Sequence, residues 1–203
     1  MTTRMKRMIR AICLAVALML PMKLVAANGD EKVYPVRDRL EVVSLDGTWT
    51  ASQSFNEKRD TADVSMKISL EGSETFIISG SSFTSIEKAI VNIAAAHEGE
   101  DMTMGATVTG KISGTVTREG DVLTFTPAKK AKPEITVETE NIPGILKAML
   151  ITPIKSEMNK SLKETDRARI VSLSDNEMVL EEILTEKELK KGAKPERTTY
   201  KKK

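Results

Sequence analysis

From Val43 onward, apolar and polar positions along the chain alternate at the period of a half-buried β-strand. Ser44-Leu45-Asp46-Gly47-Thr48-Trp49-Thr50-Ala51 reads as a turn followed by a strand. Val64, Met66, Ile68 and Leu70 then alternate with Ser65, Lys67, Ser69 and Glu71. Gly72-Ser73 is a turn signal, after which Thr75 to Ser79 reads as the return strand. The longest alternation places Met102, Met104, Ala106, Val108, Ile112 and Val116 on one parity and a run of threonines, with Lys111 and Ser113, on the other. Gly110 and Gly114 interrupt its apolar face, as where a strand of a closing sheet bends or bulges. Arg118 to Asp121 is a hairpin turn, and Leu123 and Phe125 carry the next strand inward before Pro127. The pattern predicts an antiparallel meander with one face on a core and one in water.

Two segments depart from it. Ser85 to Gly99 fits a strand through Ala89, Val91, Ile93 and Ala95. It also fits a helix opened by a Thr84–Glu87 capping box. The strand is favoured, paired with Met102 to Val116 through the loop His97 to Asp101. Pro143 to Lys163 predicts a helical insertion, because Ile154, Met158 and Leu162 recur at i, i+4 and i+8. Thr152-Pro153 there predicts two short helices or one broken helix, forming either a lid over a barrel mouth or a cover for a sheet edge. Strands return at Ile170 to Leu173 and Met178 to Leu180, joined by Ser174-Asp175-Asn176. A charged connection, Glu181 to Pro195, then leads to a last strand at Arg197 to Lys201. About eight to ten such strands make a sandwich or an up-and-down barrel.

The N-terminus changes the picture of charge. Arg4, Lys6, Arg7 and Arg10 precede an apolar run from Ala11 to Met22, and Leu24-Val25-Ala26-Ala27 supplies the small residues of a cleavage site. This order predicts a secretory signal peptide over residues 1–27. The run is too short for the about 20 apolar residues that span a bilayer. A charged lead-in over 28–42 and one domain over 43–203 follow, placing the mature protein in the periplasm or outside the cell. Five of the 31 basic residues and none of the 29 acidic ones lie in residues 1–27, which leaves 26 against 29, a formal charge of −3. That balance does not support nucleic-acid binding, which needs a basic face. The only cysteine, Cys13, leaves with the signal, so the mature chain has neither disulfide nor thiolate.

The side-chain inventory argues against an enzyme. His97 is the only histidine, in an acidic stretch where a Ser–His–Asp triad has no second support. His97, Glu98, Glu100 and Asp101 lack the regular oxygen spacing of a calcium loop and read as a solvated turn. Glu181 and Glu182 are adjacent on a strand and so point to opposite faces. No metal and no cofactor is expected.

The opening Leu45-Asp46-Gly47-Thr48-Trp49 resembles the Gly-x-Trp strand of lipocalins and of bacterial lipocalin-like domains. Gly110 to Val116 with Gly120 to Phe125 is similar to their central hairpin. Ile170 to Ser174 with Glu177 to Leu180 is similar to the penultimate one, and Arg197 to Lys201 to the closing strand. The resemblance runs over Leu45 to Lys201. It implies a mainly β, antiparallel up-and-down barrel in which Trp49 plugs one end and Arg197 packs across it. The expected function is non-catalytic binding of a small apolar ligand or envelope component, lined by Met66, Ile68, Met102, Met104, Ile112, Phe125 and Met178. These residues also suit an ordinary core filled by flexible thioethers. The alternative is a solid barrel that docks an envelope protein, with no membrane span after signal cleavage.

Overall fold

The structure is a computed structural model and describes residues 43–60, 64–97, 100–142, 144–190 and 192–203. The expected signal peptide and the whole 28–42 lead-in lie outside these residues. Nine strands are described: β1 (Gly47–Asp60), β2 (Val64–Ser79), β3 (Ser82–His97), β4 (Glu100–Glu119), β5 (Val122–Pro127), β6 (Glu134–Glu140), β7 (Asp166–Leu173), β8 (Glu177–Glu182) and β9 (Arg197–Lys202). Two helices, α1 (Gly144–Lys163) and α2 (Glu186–Lys190), interrupt them. All pairings are antiparallel. The order β3-β2-β1-β9-β8-β7-β5-β4 closes on itself through β3 and β4, making an eight-stranded barrel; β6 adds to β4. Full closure removes the unpaired edges that an open sheet would have to protect.

The barrel is closed only over part of its height. β9 reaches β1 at Trp49 and Thr50 alone, whereas β1 stays paired with β2 from Gly47 to Asp60. Likewise β4 meets β5 from Gly114 to Glu119 and β6 from Gly105 to Lys111. The long halves of β1 to β4, with β6, therefore form a five-stranded trough beyond the closed end. Helix α1 packs against β4 and β6 and buries Ile154, Met158 and Leu162 in the same apolar cluster as the barrel core. No helix among the described residues is long and apolar enough to cross a membrane.

The expected strand for Ser85 to Gly99 is β3, in register with β4 from Ser82–Thr115 to His97–Glu100. The turns at Arg118 to Asp121 and Ser174 to Asn176 stand where the pattern put them. Four expectations are corrected. Gly72-Ser73 is not a turn: β2 runs through it, with Gly72 buried, and the reversal comes at Gly80, whose φ of +55° suits glycine. The Asp46 carboxylate accepts a hydrogen bond from the Gly80 N–H at 2.6 Å and ties this turn to the strand entrance. Gly110 and Gly114 mark no bulge, because β4 keeps its register past both; they mark close approaches of other elements. The one register shift lies in β7, between Ile170 and Ser172. Helix α1 is continuous, with Pro153 inside it on the exposed side. Strand β6, with Ile135 and Val137 alternating against exposed glutamates, was not expected at all.

Candidate functional site

Strand alternation sorts the inner face of the trough into rows. One row crosses five strands as Ala51, Glu74, Glu87, Gly110 and Ile135, each opposite the next. The flanking row runs through Gln53, Gly72, Ala89, Val108 and Val137 and is small at two of its five positions. At Gly110 the space of a side chain is taken by α1. A Cβ at Gly110 would collide with Met158 Cε and lie 2.9 Å from Leu162 Cδ1.

Two carboxylates stand in this row. Glu74 is 1 % exposed and Glu87 0 %, on directly opposed positions of neighbouring strands. Side chains so placed have Cβ atoms about 4.5–5.5 Å apart, and like charges there repel. Tyr200, on β9 two strands away, donates its hydroxyl proton to Glu74 Oε2 at 2.7 Å. Burial first, then the charge of Glu74 and its hydrogen bond, then Glu87 and Asp166, hold the Tyr200 phenol well above the usual tyrosine range. Ser85 (0 % exposed) precedes Glu87 by two residues and so faces the same interior. Ser161 (2 % exposed) shares the buried face of α1 with Met158 and Leu162. Neither serine hydroxyl has a hydrogen-bond partner, and buried polar groups seldom lack one.

Aromatic rings close one side of the site. Phe76 stacks on Phe125 at 4.7 Å between centroids, Phe83 meets Phe125 edge-on at 5.4 Å, and Tyr200 lies 5.5 Å from Phe76. Each such pair adds about 0.5–1.5 kcal/mol beyond its buried area. The barrel thus has a dry aromatic floor, a belt of carboxylates and hydroxyls above it, and a helix over the belt.

The residues expected to line a ligand separate into three sets. Met66, Ile112, Phe125 and Met178 are buried in the core. Ile68 and Met104 are half-buried and border a cleft of about 500 Å³, whose other walls include Lys67, Asn92 and Glu140. Met102 keeps the inward parity but is 52 % exposed, because it lies toward the outer end of β4. Trp49 is buried at the start of β1 and donates its indole proton to the Leu45 carbonyl at 2.7 Å. Its cation is not Arg197. Lys202 Nζ sits 5.1 Å over the Trp49 ring, whereas Arg197, five residues earlier on β9, pairs with Glu181 at 2.9 Å. That spacing puts Arg197 about 17 Å up the strand.

Glu74, Glu87, Ser85 and Tyr200 were missing from the expected site, although their signal was present. Glu74 shares parity with Leu70, Phe76 and Ile78, and Glu87 with Phe83, Ala89 and Val91, all buried. A charge at an inward position of an apolar strand is the anomaly to look for. Reading Gly72-Ser73 as a turn broke the parity count before it reached Glu74.

No group of three histidine, cysteine or acidic residues that could hold a metal occurs among the described residues. Of the acidic turn that was expected to be solvated, residues 98–99 lie outside them. No protein-family model matches the chain, and no curated protein matches it. The fold and the site define a closed antiparallel β-barrel, compatible with the calycin type, with a polar buried belt beneath a helical cover.

Proposed function

We propose that this chain is an exported, non-catalytic binding protein of the lipocalin type, which takes one small molecule with an apolar body into the barrel beneath α1. One observation carries the reading. Ala51, Gly72, Ala89 and Gly110 are small residues in the two middle rows of the barrel, and at Gly110 the space of a side chain is taken by Met158 and Leu162 of a single helix. A sheet that fills its own barrel needs no such rows of small residues. Here a shift of one element gives a guest the volume that the helix vacates, and the thioether of Met158 adapts readily to a new neighbour. Export rests on the n-region, apolar run and cleavage site of residues 1–27.

Native mass spectrometry of the protein recovered from its own envelope without detergent tests this. A mass excess of one small molecule per chain, lost on denaturation, is expected. A bare mass that persists in the presence of apolar compounds contradicts it and favours a solid barrel acting through its outer face.

A further inference from the structure

We infer that the interior site selects a primary organic ammonium, with its charged head between Glu74 and Glu87 and its alkyl part against the apolar side chains of α1. This rests on the binding reading above and adds the class of ligand. Two carboxyl groups on directly opposed positions of a buried sheet face repel each other when both are ionised, and a cation between them converts that repulsion into two charge-assisted hydrogen bonds. The acidic pair is not the only sign of a ligand. Ser85 Oγ is fully buried, faces the interior next to Glu87 and has no hydrogen-bond partner. Ser161 Oγ, buried on the same helix as the Met158 and Leu162 that meet Gly110, also has none. An ammonium offers three donors, enough for both carboxylates and one serine oxygen.

The surroundings exclude other heads. An anion would face two carboxylates in a water-poor site, and a neutral hydroxyl cannot relieve their repulsion. A calcium or magnesium ion takes six or more oxygens, whereas the wall next to Glu74 is the ring of Phe76, stacked with Phe125 and close to Tyr200. Aromatic faces attract an organic ammonium and accept its alkyl chain. Among the described residues, the groups facing the head include Glu74, Glu87 and Tyr200, with Asp166 of β7 close enough to act on the Tyr200 phenol.

Calorimetric titration of the full chain with n-hexylammonium, n-hexanol and hexanoate decides the matter. The wild-type protein is expected to bind hexylammonium at least about ten-fold more tightly than hexanol, and hexanoate not at all. Glu87→Gln and Glu74→Gln should each remove most of that preference. Ser85→Ala, which deletes one hydroxyl, should weaken hexylammonium several-fold. Equal binding of hexylammonium and hexanol by the wild type would overturn the inference and leave the binding barrel standing, its carboxylates being a proton-sharing structural pair. Failure to bind any of the three, together with a bare native mass, would overturn both.

Discussion

A methyl group at position 114 has nowhere to go. It would run into the Thr126 carbonyl oxygen and lie 2.8 Å from both Pro127 Cα and Phe83 Cε1, and the first two are backbone atoms. At Gly110 the colliding atoms are instead the far ends of Met158 and Leu162. Gly114→Ala should therefore lower stability by about 1–3 kcal/mol and Gly110→Ala by less than about 1, compared by urea unfolding. Equal losses would mean that α1 is held as rigidly as the strands. The second residue to test is Tyr200. Its folded pKa is raised, so the stability it contributes is complete below the unfolded value of about 10 and is lost as pH climbs toward the folded one. Unfolding midpoints should fall above about pH 10. Tyr200→Phe should abolish its share of that fall, at a cost of about 1–3 kcal/mol near neutrality from the lost bond to buried Glu74. A pH profile that the substitution leaves unchanged would contradict this assignment.

At the scale of elements, α1 carries a proline where a helix least tolerates one. Pro153 is exposed and lacks the N–H that the preceding turn would receive. Pro153→Ala should raise the melting temperature, with a gain of about 1–3 kcal/mol; a fall would mean that the proline is needed for the fit of α1 into the barrel. The same helix shows what was legible in the sequence. Its buried stripe, Ile154, Met158 and Leu162, was read correctly because the i, i+4 spacing survives any tertiary context. Its continuity was misread, because Thr-Pro is as good a start signal as an interior kink. The β3–β4 pairing was legible from two long matched alternations. Strand β2 was cut at Gly72, since glycine signals a turn and a close approach alike. Strand β6 has only Ile135 and Val137 to set against its glutamates, too weak a pattern to separate from a loop. Arg197 was placed at Trp49 by likeness; the pairing of Trp49 with Lys202 is a matter of register, which composition does not encode.

At the scale of the molecule, the barrel divides its labour by height. The closed end is self-sufficient, with Trp49, Phe76, Phe83, Phe125 and Tyr200 in one cluster, so its few aromatics are concentrated where the sheet closes. The trough depends on α1, and the boundary between them is the level of Glu74 and Glu87. Burying two carboxylates there runs against stability, since ionised groups in an apolar interior are costly. A barrel that only had to stand would be more stable with leucines at both positions. The central claim is that this interior exists to be occupied, and native mass spectrometry of the protein recovered from its own cells without detergent tests that most directly. The account predicts one small molecule per chain, released on unfolding and carrying a basic nitrogen. A single bare mass, unchanged when apolar amines are added, would contradict it.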